Sequence, residues 1–253
     1  MTGLAGIETA AEMIADAYAN GHRIAALPAV ATPPDVPTAY VIQSLVIDRI
    51  GAIGGWKAGA KGPDVEPIAA PLPAPGVIAG PASLPGAAFG VRVIEVEVAF
   101  RFGRDLPPRD TPYTREEVMD AFASVMPAIE LVDSRFEGFP EVPWPNQLAD
   151  LHNHARLILG PERADWRSFD LSHIAATLTV DGAVKVDRVN GNAAVDIIRP
   201  VVWLLNGGPA HRRGIKAGQV VTTGTLTGME YVGPAAQVVG EVAGLGRVEL
   251  SFS

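Results

Sequence analysis

The chain has 253 residues, of which 48% are hydrophobic and 19% charged, a composition typical of a folded globular protein. The 20 Lys and Arg residues stand against 28 acidic ones, and a formal charge of −8 disfavours a phosphate backbone, so we expect no nucleic-acid partner. Because cysteine is absent, disulfides, thiolate catalysis and sulfur-bound zinc are excluded. Any metal must be held by carboxylate, imidazole or carbonyl groups.

Two helices are expected near the N-terminus. The first covers residues 6–20, where Met13, Ile14 and Ala17 share one face and Asn20-Gly21 forms a C-terminal stop. The second runs from an Asp35 cap to Gly51, with proline in its first turn. Residues 1–53 are therefore predicted to form an N-terminal helical region.

Residues 68–91 carry no charge, but they include five prolines and four glycines. Such a segment would leave backbone groups unsatisfied in lipid, so we expect an ordered extended loop and no membrane partner. The first 20 residues contain Glu8, Glu12 and Asp16 without a basic stretch before an apolar run, which is unlike a signal peptide. The expected compartment is the cytoplasm.

From residue 54 onward, short β-like runs bounded by Gly and Pro predict a strand-rich body. These runs cover residues 56–59, 77–79, 91–100, 128–132, 176–180, 183–186, 219–225, 238–242 and 247–252. Asp181-Gly182 is typical of a hairpin turn. Two helices are expected among the strands: one begins at Thr114, which forms a capping-box pattern with Glu117, and one lies between residues 192 and 206 with a proline near its middle.

Three carboxylates in this body need an explanation. In the alternating run 91–100, Glu95 and Glu97 lie on one face with Cα atoms about 6.5–7 Å apart, and the other face is apolar. Glu130 is the only charge in the apolar run 127–132. A solvated sheet face would account for Glu95 and Glu97 alone. Three acids around one ion would instead suit Mg²⁺ or Mn²⁺, which prefer hard oxygen ligands.

The residues named above, with further motifs in the same order, resemble one known family. The motifs include Gly55-Trp56-Lys57-Ala58-Gly59, Glu95-Val96-Glu97, residues 127–135 and Thr222-Thr223-Gly224-Thr225. Together they resemble the 2-keto-4-pentenoate hydratase and 4-oxalocrotonate decarboxylase branch of the fumarylacetoacetate hydrolase superfamily. The resemblance implies an α+β fold, a mixed β-sandwich or barrel-like roll with an N-terminal helical region, in which residues 54–253 form the catalytic domain of a homo-oligomer.

The resemblance also implies the site. Glu95, Glu97 and Glu130 would bind Mg²⁺ or Mn²⁺, which chelates a small 2-oxo acid or its dienol. Lys57 matches a family lysine near the substrate and would compensate charge or act as an acid or base. The other expected substrate-binding residues are Asp150, Thr223, Gly224 and Thr225.

The chain departs from the family pattern in two places. After Gly59 it carries Ala60-Lys61, and Ile68 stands where relatives have an acid that transfers protons, so Asp64 or Glu66 either replaces that acid or lies on a surface loop.

The second departure is a pair of histidines. His152 and His154 are candidate general bases for water attack, unless they are ordinary packed or exposed histidines. Three aromatic residues, Trp56, Phe89 and Trp144, either line a pocket for the substrate tail or pack in the core.

The sequence thus predicts a metal-dependent lyase that adds water to a 2-hydroxy-2,4-dienoate and gives a 4-hydroxy-2-oxo acid. The alternatives are 2-oxo acid decarboxylation and acylpyruvate C–C hydrolysis at the same metal site, and a metal-binding family member without catalytic activity.

Overall fold

The computed structural model describes residues 3–253. Within this range the chain forms five α-helices and 13 β-strands. The helices are α1 (Leu4–Asn20), α2 (Val36–Ile50), α3 (Arg115–Met119), α4 (Trp144–Ala149) and α5 (Arg199–Asn206). The strands are β1 (Ile53–Gly59), β2 (Ile68–Pro73), β3 (Val77–Ala79), β4 (Ala82–Leu84), β5 (Val93–Phe102), β6 (Phe122–Val132), β7 (His154–Leu159), β8 (Ala175–Val180), β9 (Ala183–Val189), β10 (Val220–Thr225), β11 (Glu230–Tyr231), β12 (Gln237–Val242) and β13 (Gly246–Phe252).

The strands form two mixed sheets. The larger has eight strands in the order β2-β1-β10-β5-β6-β7-β3, with β11 paired to β5, and the smaller has the order β4-β13-β12-β8-β9. In the larger sheet β1 and β10 run parallel, with Lys57 beside Thr222. The α+β class predicted from the sequence is confirmed.

The two sheets pack face to face through the apolar sides of β5 and β6. At the centre of this contact a Cβ added to Gly240 would lie 2.9 Å from Val96 Cγ2 and 3.2 Å from Ile129 Cγ1. The absence of a side chain at residue 240 therefore lets the sheets approach closely. Since strand residues alternate, the acidic side of β5 faces away from this core.

The N-terminal helices pack on each other and on the turn that precedes β7. The Asp35 side chain accepts a hydrogen bond from the Thr38 amide, which confirms the predicted cap of α2. Ile14 and Ile42 belong to a buried cluster that also contains Leu148 and Leu151. This cluster connects the helical region to the segment that carries the two histidines.

Two predicted elements differ from the structure. The segment expected as an extended loop contains β2 and β4 as well as the predicted strand at residues 77–79. Its prolines are tolerated because β2 is an edge strand, which needs backbone donors on one side only. The helix expected over residues 192–206 begins only at Arg199, because Pro200 occupies its first turn.

The Thr114–Glu117 capping box and the Asp181-Gly182 hairpin turn are both present. No helix in the described part of the chain combines the length and apolarity needed to cross a membrane.

Candidate active site

The antiparallel register of β5 and β6 brings the three predicted acids together. Glu95 lies directly opposite Glu130 in this register, and Glu97 lies two residues further along the same face of β5. One carboxylate oxygen from each residue lies within 4.8 Å of the other two. Like charges placed opposite each other repel, so this cluster destabilises the sheet unless a cation or a proton offsets it.

A bulge in β10 provides donors to one of these acids. The pairing of β10 with β5 shifts between Thr222 and Thr225, and Gly224 adopts φ 93°, a left-handed conformation that favours glycine. As a result the Gly224 amide donates to Glu97 Oε2 at 3.0 Å, and the Thr222 hydroxyl donates to the same oxygen. These bonds orient the Glu97 carboxylate.

Glu130 receives two nitrogen donors on one oxygen. Lys57 Nζ lies 2.6 Å from Glu130 Oε1, and His154 Nδ1 lies 3.1 Å from the same atom. The lysine, only 8% exposed, also donates to the His152 carbonyl at 3.3 Å. No donor among the described residues reaches the buried Glu130 Oε2.

The pKa values reflect this crowding of charge. Burial, then the charges of Glu97 and Glu130, raise the pKa of Glu95 to about 8. Burial and the Glu130 charge raise the pKa of Glu97 to about 7. Burial would also raise the pKa of Glu130, but the Lys57 charge and the His154 hydrogen bond outweigh it and lower that pKa to about 2. Burial lowers the pKa of Lys57, yet the three carboxylates raise it overall.

These features fit a hard divalent cation. The unpaired Oε2 of Glu130 is an available ligand atom. Glu95 and Glu97 have raised pKa values, and a positive ion beside them would lower the energetic cost of ionising both carboxylates at neutral pH. An all-oxygen set of three protein ligands leaves coordination positions for water or a chelating substrate. Glu95, Glu97 and Glu130 are therefore the residues that would hold Mg²⁺ or Mn²⁺.

A turn of unusual backbone conformation presents His152. Leu151, His152 and Asn153 have φ values of 47°, 52° and 56°, a left-handed conformation that is unfavourable for residues other than glycine. The fully buried Asp150 fixes the start of this turn through Arg135, whose Nη2 donates 2.7 Å to the Asp150 carbonyl and whose Nε donates to the carboxylate. The half-buried His152 side chain consequently lines the cavity beside Lys57.

That cavity has a volume of about 280 Å³, just below the range typical of drug-sized ligands, which suits a small substrate. Its lining includes seven residues predicted from the sequence, namely Lys57, Glu95, Glu97, Glu130, His152, Gly224 and Thr225. Ile68 also lines it, whereas Asp64 and Glu66 are exposed and lie outside it. The structure thus places both acids on the exposed loop, the second of the two positions considered for them.

Three other predicted site residues do not line the cavity. His154 is completely buried behind Glu130, where burial lowers its pKa and favours a neutral imidazole that donates through Nδ1. The carboxylate of Asp150 is enclosed by Ser134 and Arg135. Thr223 points to the other side of β10 and donates to the Val98 carbonyl at 2.9 Å.

Of the three aromatic residues, only Trp144 lies beside the site. Its ring meets the His152 ring edge-on at 5.2 Å between centroids. Trp56 is buried on the opposite face of β1 from Lys57, as strand alternation requires, and Phe89 packs against Phe252 in the core.

Three residues outside the predicted set of site residues also shape the site, although Thr222 belongs to the Thr/Gly run expected beside the substrate. Thr222 holds Glu97, and Lys61 lines the cavity mouth. Asn192 donates to the carbonyls of Thr223 and Gly224 at 3.0 and 2.9 Å, which fixes the β10 bulge against the loop that carries Ala193. In the sequence, Thr222 was visible as the first threonine of the Thr/Gly run, and Lys61 as part of the departure from the family pattern after Gly59.

Comparison with known proteins agrees with this geometry. The family described as fumarylacetoacetate (FAA) hydrolase C-terminal matches residues 70–252, and the chain belongs to the fumarylacetoacetate hydrolase family. The chain is 29% identical to a 2-keto-4-pentenoate hydratase from Paraburkholderia phymatum, over 98% of this chain and 97% of the relative. The family resemblance predicted from the sequence is confirmed.

Two solved structures share the fold. One is 4-oxalocrotonate decarboxylase from Pseudomonas putida G7 complexed with magnesium and adipate, with a TM-score of 0.87, 22% identity, and coverage of 100% of this chain and 99% of that one. The other is fumarylpyruvate hydrolase from Pseudomonas aeruginosa with Mn²⁺ and pyruvate, with a TM-score of 0.57, 18% identity, and coverage of 78% and 88%. The smaller coverage of the second shows that the likeness to the decarboxylase extends over more of the chain.

Proposed function

We propose that this chain is a divalent-metal-dependent hydratase that adds water to a 2-hydroxy-2,4-dienoate, or its 2-oxo-4-enoate tautomer, to give a 4-hydroxy-2-oxo acid. The observation that carries the proposal is the convergence of Glu95, Glu97 and Glu130 within 4.8 Å in a small cavity that also contains Lys57 and His152. The full-length likeness to a 2-keto-4-pentenoate hydratase supports the same reaction.

The bond changes in the overall reaction determine which groups the protein must provide. The hydroxyl group of water adds to C4. C3 and C5 each gain one hydrogen, and the 2-hydroxyl oxygen loses its proton. Water and the 2-hydroxyl group therefore supply both hydrogens. Mg²⁺ or Mn²⁺ at the three carboxylates would supply Lewis-acid polarisation of the substrate carboxylate and 2-oxo oxygens. Negative charge develops on the 2-oxygen, and cationic groups placed in advance stabilise it.

Lys57 provides such a group. Its ammonium is fixed between Glu130 Oε1 and the His152 carbonyl, so it needs little rearrangement when a substrate binds. In the metal-free protein the three carboxylates raise the pKa of Lys57, which favours its protonated form. We assign it charge compensation and proton donation rather than proton abstraction.

His152 is suited to orient the water. Burial and the Lys57 charge lower its pKa to about 3, so the imidazole is neutral and has one ring nitrogen able to accept a hydrogen bond. We assign His154, Asp150 and Thr223 positioning roles, since each holds a neighbouring group and none lines the cavity.

A second reaction is favoured by one feature of the cavity. Ile68 stands where the family pattern has an acid, and among residues 3–253 no carboxyl group apart from the three expected ligands lines the cavity. Decarboxylation of a 2-oxo acid such as 4-oxalocrotonate needs an electron sink at the 2-oxo oxygen but no activated water. Acylpyruvate hydrolysis would in contrast require His152 to direct water at a carbonyl carbon.

The test is to follow the ultraviolet absorbance of freshly generated 2-hydroxypenta-2,4-dienoate with and without Mg²⁺ or Mn²⁺, and to identify products by mass. Metal-dependent formation of 4-hydroxy-2-oxopentanoate supports the hydratase. CO₂ release from 4-oxalocrotonate, or pyruvate formation from an acylpyruvate, would replace it with the corresponding alternative. Calorimetric binding of oxalate with Mg²⁺ but no turnover would indicate a non-catalytic family member.

We further propose a division into an N-terminal helical region, residues 1–53, and a catalytic domain, residues 54–253. We also propose that the chain works as a homo-oligomer in the cytoplasm. These proposals rest on the family resemblance, and light scattering of the purified protein tests the oligomer.

A further inference from the structure

We propose that Lys61 binds a second carboxylate on the substrate, so that the preferred substrate is a dicarboxylic 2-oxo acid or dienol rather than a monocarboxylic one. This inference rests on the proposed function, since the first carboxylate and the 2-oxo oxygen would bind at the metal held by Glu95, Glu97 and Glu130.

Lys61 lines the same cavity as the three carboxylates. It follows the last residue of β1, Gly59, by two positions and contributes to the cavity lining together with Lys57 and His152. Its ammonium lies 4.6 Å from the centre of the Trp144 ring, which itself packs against His152. The aromatic ring holds the lysine at the cavity mouth through a cation–π contact.

The two lysines of the cavity differ in their partners. Lys57 forms an ion pair with Glu130, with 2.6 Å between Nζ and Oε1. In the part of the chain that the structure describes, Lys61 forms no ion pair with a carboxylate within 4.0 Å, although Asp64 and Glu66 follow within five residues. Lys61 is therefore the cavity cation still able to pair with an anionic group on a ligand.

The loop that carries Lys61 is anchored. Arg199 donates from Nη2 to the Gly62 carbonyl at 2.8 Å and from Nη1 to the Val65 carbonyl at 3.0 Å. These two hydrogen bonds attach the loop to α5. Because the loop is already ordered, ligand binding costs less conformational entropy there.

The remaining lining of the cavity suits a short carbon chain. Ala60, Ile68 and Ala193 present small or apolar side chains, and a cavity of about 280 Å³ restricts the length of the ligand. A ligand with a carboxylate and 2-oxo group at one end and a carboxylate at the other would place the first end at the three glutamates and the second at Lys61, with its carbon chain against the apolar lining.

The experiment is calorimetry with Mg²⁺ and two unreactive ligands of equal chain length, 2-oxoadipate and 2-oxohexanoate, which differ in the second carboxylate. For Lys61→Met we expect about fivefold weaker binding of 2-oxoadipate, the scale of one partly exposed ion pair, and unchanged binding of 2-oxohexanoate. The matched control is Lys185→Met, an exposed lysine on β9, which should change neither affinity. Raising the ionic strength should reduce the preference of the unmodified protein for 2-oxoadipate.

Equal affinities of the unmodified protein for both ligands, or an equal effect of Lys61→Met on both, would overturn the inference and reduce Lys61 to a partner of Trp144. Failure of the unmodified protein to bind either ligand with Mg²⁺ would instead overturn the proposed function. Because the assay measures binding, these two failures are distinguishable without turnover.

Discussion

Lys57 and Glu130, which are 73 positions apart in the sequence, form an ion pair of 2.6 Å in which the carboxylate is completely inaccessible to solvent. A buried charge is tolerated only with a partner, so removal of the lysine has two consequences. It removes the ammonium group nearest the three carboxylates, and it leaves Glu130 without the charge that keeps its pKa low.

We therefore expect Lys57→Met to lower kcat at least about 100-fold, the usual scale for loss of a proton-transfer group. Metal binding should weaken less, since all three carboxylates remain. Lys57→Arg is the control that keeps the charge. Steady-state kinetics with a metal titration checks this, and loss of metal affinity with an unchanged kcat would assign Lys57 a different role.

Glu97→Gln should abolish metal-dependent turnover while leaving the fold intact. The amide keeps the size of the side chain and still accepts hydrogen bonds through its carbonyl oxygen from Thr222 and Gly224, but it removes one anionic ligand. Activity assays, circular dichroism and Mg²⁺ calorimetry test this together. Full activity in this variant would rule out Glu97 as a metal ligand.

The metal-free protein should become less stable as the pH rises from about 6.5 to 8. In the folded state Glu95 and Glu97 retain protons up to about pH 8 and 7, whereas in the unfolded state they release them near 4.5. The folded state thus binds more protons in this window, so stability falls as pH rises. His152 opposes this trend only below its unfolded pKa of 6.5.

Mg²⁺ should reverse the trend, since the metal binds the ionised carboxylates and its affinity rises with pH. Thermal melts at pH 6.5 and 8, with and without Mg²⁺, measure both effects. Glu97→Gln should flatten the slope of the metal-free protein. An unchanged slope in that variant would show that other groups cause it.

Asp150→Ala should destabilise the protein by about 3–5 kcal/mol, because it leaves the buried Arg135 charge without its partner. It should also release the left-handed turn and lower activity through misplacement of His152. Glu241→Ala, which removes an exposed pair with Arg247 at 3.8 Å, should cost no more than about 0.5 kcal/mol. Urea unfolding compares the two, and similar losses would contradict the positioning role of Asp150.

The clustering of the three carboxylates could be predicted in part from the sequence because a strand fixes the direction of each side chain. Alternation placed Glu95 and Glu97 on one face, and the isolated charge at Glu130 stood out in an apolar run. The register that sets Glu130 opposite Glu95 depends on the packing of β5 against β6 and is not written in either segment alone.

The different environments of the two histidines could not be predicted from the sequence. His152 and His154 are two residues apart, and the sequence predicted both as candidate general bases. In the structure His152 lines the cavity, whereas His154 is buried behind Glu130. The three consecutive left-handed residues that separate their environments carry none of the glycines that usually announce this conformation. Tertiary contacts such as the Asp150–Arg135 pair impose it.

The parallel pairing of β1 with β10 has a consequence for biosynthesis. Lys57 leaves the ribosome long before Thr222, its neighbour in the sheet, so the cavity cannot close until nearly the entire chain has been made. Until then Glu97 lacks the donors that β10 provides. A nascent chain stalled before residue 220 would therefore hold all three carboxylates without the β10 donors that orient Glu97, and we expect it to bind metal less tightly than the complete chain.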